Sequence, residues 1–291
     1  MADGHSDYYI PEPSHWPVTA SIAIFTMFVG GATMLNGADI GQVILGLGFL
    51  LFVFMLFGWF GVVIKESEGG IYNDEVDVSF RMGMMWFIFS EVMFFAAFFG
   101  ALYYARIYSV PWLGGEGSGA ATNQFLWPEF VAAWPLFESP STYGFTHFKE
   151  TIGAWGVPFW NTVILLTSGG TVTWAHWGLK KGSRQQLVLG LALTVALGAL
   201  FVYMQAEEYG HAYHELGLTL NSGIYGATFF MLTGFHGFHV TMGTIMLAVI
   251  LARSIKGHFT AKHHFGFEAV AWYWHFVDVV WIGLFIFVYW I

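Results

Sequence analysis

Five ionisable residues lie within long apolar stretches, where charged side chains are costly and usually have a role. They are Glu91, His236, His239, His275 and Asp278. The two histidines from GFHGFHV are three positions apart, as are His275 and Asp278, so each pair would share one helix face. Carboxylates and imidazoles in such a setting can bond to each other, relay protons or bind a metal ion. All three kinds of chemistry stay open on these residues alone.

A second group of His and Glu residues ends an apolar stretch, in the segment EEYGHAYHE. Helical spacing would place Glu208 and His211 on one face, with His214 close by. These side chains are possible Zn²⁺ ligands, although a solvated polar surface is the simpler interpretation. Otherwise the sequence predicts no metal site.

Titratable residues also cluster between and beside the last two apolar stretches. Histidine changes charge near neutral pH, so such a cluster can collect protons at a membrane surface. We predict a proton-collecting surface there, with other histidines such as His176 on the same side; its residues are His258, His263, His264 and Glu268.

The composition defines the elements that must position these residues. Apolar residues make up 56% of the chain and charged residues only 10%, against about 25% in soluble domains. The charges are grouped between long apolar runs, which is typical of membrane spans. The sequence therefore predicts an all-α, polytopic membrane helix bundle. The absence of cysteine excludes disulfides and thiolate ligands, and a net charge of -9 disfavours nucleic acid as a partner.

Seven stretches are long enough to cross a bilayer, since a span needs roughly 20 residues at about 1.5 Å each. At that rise, Glu91, His239 and Asp278 would all lie roughly 15 to 20 Å from the inner surface, which predicts one buried polar layer. The predicted spans are Pro17 to Asn36, Ile40 to Ile64, Phe80 to Arg106, Ala154 to Trp177, Gln185 to Glu207, Gly223 to Arg253 and Glu268 to Trp290.

Four segments follow from these spans. Residues 1–16 form a cytoplasmic segment, 17–64 the first two spans, 65–79 an acidic inner loop, and 80–291 the last five spans. Within the last segment, an extended outer loop at about 107–153 is rich in Pro, Gly and Trp, which predicts an ordered cap with short helical turns.

The basic residues predict the orientation. Eight of the ten lie on the side of the N-terminus and two on the other, and positive loops are retained inside. The N-terminus is therefore expected in the cytoplasm and the C-terminus in the periplasm. The first 16 residues lack the basic region of a cleavable signal, and we expect a bacterial inner membrane rather than a mitochondrial one.

Four long motifs resemble the cytochrome c oxidase subunit III family, and the resemblance extends from about Ile40 to the C-terminus. The motifs are FRMGMMWFIFSEVMFFAAFFGAL, PFWNTVILLTSGGTVTWAHW, GIYGATFFMLTGFHGFHVTMGTIML and HHFGFEAVAWYWHFVDVVWIGLFIFVYW. The resemblance implies seven helices divided two and five around a lipid-filled cleft. It also implies that Glu91 is the family's buried carboxylate and that the other four intramembrane residues match polar positions of the family.

By the same resemblance, four charged residues match positions associated with cleft phospholipids: Glu66, Arg81, Arg253 and Lys256. The family's subunit carries no haem or copper, and those cofactors are expected in partner subunits. The implied function is that of a non-catalytic subunit of a proton-pumping cytochrome c oxidase. Subunit I would be its direct partner, subunit II would belong to the same complex, and cytochrome c would act through the complex.

Three alternatives stay open. A quinol oxidase subunit of the same superfamily generally lacks the first two spans. An autonomous proton channel or transporter would use Glu91, His239 and Asp278, although the sequence shows no internal repeat. A membrane enzyme with its own di-iron or haem centre would use the intramembrane histidines and carboxylates, although the usual paired Glu-x-x-His pattern is missing.

Overall fold

The computed structural model describes residues 9–140 and 144–291, and these residues are helical or irregular, with no strand. The all-α prediction is therefore confirmed. Half of the predicted segment 1–16 lies outside the described residues. The chain divides into two compact units, one ending at Arg81 and the other covering Met82–Ile291.

The first unit is built on a hairpin of helices α1 (Trp16–Leu35) and α2 (Ile40–Glu68). Glycines at the contact allow the two backbones to approach closely. A side chain at Gly30 would collide with the backbone of Leu45, and one at Gly41 with that of Met34. Small residues at such crossings are typical of membrane helix pairs, in which packing and not water exclusion holds the helices together.

The acidic segment predicted as an inner loop at 65–79 is mostly helical. Helix α2 continues to Glu68 and α3 (Asp74–Tyr104) begins directly after Asn73, so the connection covers only residues 69–73. Oδ1 of Asn73 accepts the backbone N–H of Val76 at 3.0 Å, which satisfies one free donor at the helix start. Acidic side chains in the first turn also interact favourably with the helix dipole, which explains why this stretch is helical.

In its described residues, the second unit contains the remainder of α3 and six further α-helices. The region predicted as an outer loop begins with a π-helical turn (Ala105–Ser109) and a 3-10 turn (Gly117–Gly119) flanks its short helices. The six further helices of the second unit are the short α4 (Val110–Leu113) and α5 (Ala120–Leu126) and the long α6 (Val157–Lys180), α7 (Arg184–His211), α8 (Gly223–Lys256) and α9 (Phe265–Leu284). A π-helical turn (Phe285–Trp290) extends α9 to the end of the chain.

Two fully buried tryptophans of α9 fix its packing against α6. Nε1 of Trp274 donates to Oγ of Ser168 at 2.9 Å, and Nε1 of Trp281 donates to Oγ1 of Thr162 at 2.8 Å. The Trp274 ring occupies space beside Gly243, where a Cβ would lie 2.8 Å from the ring. Small residues of the neighbouring helices therefore make room for the large indole rings, and hydroxyl groups accept the hydrogen bonds of their N–H groups.

Within residues 9–140 and 144–291, six helical segments are long and apolar enough to cross a membrane, and they include α1, α2, α3, α7, α8 and α9. Helix α6 has 24 residues, which at about 1.5 Å each is also sufficient length. It is less apolar because it carries polar residues such as Asn161 and Ser168, and both are fully buried in the bundle. Seven long helices thus correspond to the seven predicted spans.

Candidate functional site

The clearest polar contact in the second unit joins α3 to α8. Nε2 of His239 lies 2.9 Å from Oε2 of Glu91, and the two side chains are 8% and 23% exposed. Nδ1 of the same imidazole lies 2.6 Å from the backbone oxygen of Phe235. A carbonyl oxygen only accepts hydrogen bonds, so Nδ1 carries a proton. The contact with Glu91 then needs one further proton, held by either the imidazole or the carboxyl group.

Aromatic rings enclose this pair. The imidazole lies edge-on to Phe95 at 5.0 Å and parallel to the ring of Tyr273 at 6.2 Å. The hydroxyl of Tyr273 donates to the backbone oxygen of His239 at 3.4 Å. In this apolar shell a polar group without a partner would be costly, so Glu91 and His239 stabilise each other's burial.

His236 lies one helical turn away from His239 but has different neighbours. Its side chain is completely buried, and Nε2 lies 3.2 Å from the backbone oxygen of Val277. The ring packs at 5.0 Å from Trp281 and 5.6 Å from Phe201. This histidine therefore links α8 to α9, while His239 links α8 to α3.

His275 and Asp278 lie on the face of α9 that meets α6. Nδ1 of His275 is 3.4 Å from Oδ2 of Asp278, and its Nε2 is 3.3 Å from the hydroxyl of Thr173. They border a groove of about 490 Å³, together with small residues such as Gly169. Val277 meets His236 and Asp278 faces α6, so His236 and Asp278 have separate contacts on different faces of α9. The common depth of Glu91, His239 and Asp278 stays a prediction.

The outer cluster predicted as a weak metal candidate does not form one ligand set in the structure. Glu208 is buried, and its Oε1 accepts hydrogen bonds from Tyr289 at 2.7 Å and from Gln205 at 3.1 Å. His211 is exposed and pairs with Glu215 at 3.0 Å, and His214 is exposed as well. The sequence did not predict that the C-terminal turn would bond to Glu208, because Tyr289 is 81 positions away.

Two of the predicted lipid-binding residues belong to the first unit. Glu66 accepts hydrogen bonds from the hydroxyls of Tyr72 at 2.7 Å and Tyr9 at 3.0 Å, while Nε of Arg81 lies 2.6 Å from Asp77. Burial, and then the hydrogen bond to the Glu66 carboxylate, raise the pKa of Tyr72 above its ordinary value of 10.0.

The other two predicted lipid-binding residues lie in the last turn of α8, in the second unit. The guanidinium carbon of Arg253 lies 4.5 Å from the centre of the Phe259 ring, a cation–π contact. Lys256 is exposed, and Gly257 ends the helix in a left-handed conformation. Both cationic side chains therefore lie at a helix C-terminus, where positive charge is favourable.

The predicted proton-collecting surface needs a correction. His263 is exposed and His258 is half-buried, but His264 and Glu268 are buried at 6% and 8% exposure. His264 immediately precedes α9, and its Nε2 is turned towards Oε1 of Glu268 at 3.1 Å. The inward turn of the helix start removes these two residues from the surface and places them beside His176 of α6.

These elements define a multi-pass membrane protein whose helix bundle buries carboxylate–histidine pairs. The sequence profile of the family "Cytochrome c oxidase subunit III" matches residues 5–125 and 125–291. The chain therefore belongs to the cytochrome c oxidase subunit III family. It is a subunit of a respiratory oxidoreductase complex that contains other subunits.

Curated relatives match the chain along its whole length. Cytochrome c oxidase subunit 3 of Prototheca wickerhamii is 41% identical over 283 residues, covering 97% of this chain and 96% of the relative. The proteins of the same name from Danio rerio and Oncorhynchus clarkii are 41% and 40% identical over 291 residues, covering 100% of this chain and 99% of each relative. These matches include both units of the chain.

Proposed function

We propose that this chain is a non-catalytic subunit that stabilises the catalytic subunit I of a proton-pumping cytochrome c oxidase. The observation that carries the proposal is the full-length match to the subunit III family, with 40% sequence identity to a curated relative over both units. Subunit I would be the direct partner within a complex that also contains subunit II. Cytochrome c would reach the chain only through that complex.

The intramembrane histidines support a structural role for this chain. Nε2 of His236 is bonded to Val277, and both ring nitrogens of His239 are engaged, with Phe235 and Glu91. His275 contacts Asp278 and Thr173. A haem iron needs a ring nitrogen directed at an open position, and His239 and His275 have both ring nitrogens engaged by protein groups. Following the family resemblance, we assign haem and copper to the partner subunits.

Phospholipids are the ligands we assign to the chain itself. Arg253 and Lys256 form a cationic helix end, and each such charge near a membrane surface attracts anionic lipid by about 1 kcal/mol. In the first unit, Glu66 lies in the last turn of α2 and Arg81 lies in the early part of α3. Lipids held at these positions would also offer an apolar path for oxygen towards subunit I.

A role in proton uptake is the third part of the proposal. His263 is exposed and His258 is half-buried, so water can reach both imidazoles, and imidazole is a common proton carrier in proteins. The excess of basic residues in the loops on the side of the N-terminus supports an inside location for that side. The location in a bacterial inner membrane stays a prediction.

The test is purification through a tag on this chain in mild detergent, with a reduced-minus-oxidised optical spectrum and mass identification of co-purifying chains. We expect haem absorbance to accompany larger partner subunits and to be absent from the chain after it is stripped from them. Haem or iron retained by the stripped chain would contradict the proposal. A chain that purifies without partners and conducts protons in vesicles would instead make it an autonomous channel.

A further inference from the structure

Two histidines and a glutamate converge where α6 ends and α9 begins, and none of them belongs to the intramembrane histidine contacts described for α3, α8 and α9. His176 lies in the last turns of α6, His264 precedes α9, and Glu268 lies in its first turn. His264 and Glu268 are buried, and the side chain of His176 is 21% exposed. They form the one group of three or more such side chains with metal-ligand spacing among residues 9–140 and 144–291.

The three facing atoms have the spacing of ligands around one small ion. Nε2 of His176 lies 3.3 Å from Nε2 of His264, and Oε1 of Glu268 lies 3.4 Å and 3.1 Å from these two nitrogens. Zinc binds imidazole nitrogen and carboxylate oxygen at about 2.0 to 2.2 Å, so two ligands at neighbouring corners of a tetrahedron are separated by about 3.3 to 3.5 Å. These side chains could therefore bind such an ion with shifts of only a few tenths of an ångström.

The contacts of His264 require either a proton or a metal ion between its Nε2 and the Glu268 carboxylate. Its Nδ1 lies 3.0 Å from the backbone oxygen of Thr260, and a carbonyl oxygen only accepts, so Nδ1 carries the hydrogen. In the neutral imidazole Nε2 then presents a lone pair towards the Glu268 oxygen at 3.1 Å. Two acceptors at this distance repel each other unless a proton or a metal ion lies between them. A backbone carbonyl behind the second ring nitrogen is also the usual support of a metal-bound histidine.

We propose that His176, His264 and Glu268 bind one divalent transition-metal ion of the zinc class. Two neutral imidazoles and one carboxylate suit zinc better than calcium or magnesium, which prefer oxygen ligands alone. Three protein ligands leave a fourth tetrahedral position for water or another donor. The ion would connect the end of α6 to the start of α9. For His264 and Glu268, it replaces the role expected from the sequence in a proton-collecting surface.

The proposal is tested with zinc chloride as the probe on the complex purified through a tag on this chain. After loading and desalting, zinc per chain is measured by plasma mass spectrometry, and affinity by equilibrium dialysis with radioactive zinc. We expect wild type to retain one more zinc ion per chain than the variants His264→Ala and Glu268→Gln, with an affinity loss of at least about 100-fold. His263→Ala is the matched control, because its exposed imidazole lies next in sequence, and it should retain the ion.

X-ray absorption spectroscopy at the zinc edge gives a second readout, and it does not depend on complete assembly of each variant. The zinc spectrum of Glu268→Gln is subtracted from that of wild type. The difference should come from a zinc ion with nitrogen and oxygen neighbours at about 2.0 to 2.2 Å, some of them imidazole nitrogens. Equal zinc content in wild type and both variants would overturn the proposal, and a proton shared by His264 and Glu268 would then explain the geometry. If His264→Ala fails to assemble, His176→Gln and Glu268→Gln still decide the matter. Zinc is counted per chain whether or not the complex oxidises cytochrome c. A negative zinc result would therefore refute the metal site without refuting the proposed function.

Discussion

The indole Nε1 of Trp281 donates a hydrogen bond of 2.8 Å to the hydroxyl of Thr162, which lies 119 positions earlier in the chain. Trp281 is completely buried, and its ring also packs against Phe201 and His236. One side chain thus connects α6, α7, α8 and α9. The hydrogen bond fixes the rotation of α9 about its axis, and with it the direction of the neighbouring Asp278.

Thr162→Val should destabilise the bundle because it leaves a buried indole N–H without its acceptor. The expected cost is about 0.5 to 2 kcal/mol, given the modest strength of side-chain hydrogen bonds between membrane helices. A lower temperature of thermal dissociation for the purified complex measures it. Thr241→Val is the matched control, since the Thr241 hydroxyl bonds to Gly237 in its own helix. An equal decrease in both variants would show that the contact with Trp281 contributes nothing.

Glu91 and His239 should be strongly coupled, because each satisfies the other in an apolar shell. Either Glu91→Met or His239→Phe alone is expected to destabilise the complex by about 1 to 3 kcal/mol. The double variant should lose clearly less than the sum of the two single variants. Thermal dissociation of all four forms gives the coupling free energy. Ser90→Ala serves as the control, since its hydroxyl bonds to Phe87 within α3, and strictly additive losses would refute the coupling.

Arg253→Ala should lower the amount of bound phospholipid and quicken inactivation during turnover. Loss of one cationic contact with a lipid headgroup weakens binding by about 1 kcal/mol, or roughly fivefold. Lipid mass spectrometry of the purified complex and the time course of oxygen consumption measure the two effects. Lys181→Ala removes an exposed charge from the turn after α6 and should change neither. Unchanged lipid content and lifetime in Arg253→Ala would exclude this lipid role.

Tyr72 should make the stability of the first unit fall at alkaline pH. Burial and the bond to Glu66 raise the pKa of Tyr72 above 10.0, so its contribution is fully present below pH 10.0. As the pH rises further, the unfolded chain loses this proton more readily than the folded chain, and stability declines. Tyr72→Phe should therefore flatten the decline of the dissociation temperature above that pH. Tyr203→Phe, at an exposed position, is the control, and identical slopes in wild type and both variants would contradict the effect.

The sequence by itself determined the helical class, the long spans and the residues of interest. Long apolar runs with grouped charges have few alternatives, because only helices and closed barrels satisfy every backbone group in lipid. Isolated ionisable residues within such runs identified Glu91, His236, His239, His275 and Asp278 directly. The family motifs also surrounded these positions, and the full-length match confirmed the family.

Only the tertiary structure decided which of these residues meet. Depth along a helix follows from counting residues, but rotation about its axis depends on packing contacts between distant helices. Hence Glu91 pairs with His239, Asp278 turns towards α6, and Glu208 bonds to Tyr289. The same limit applies to His176, His264 and Glu268, because an inward turn before α9 removes two of them from water and brings them to a third residue 88 positions away from His264.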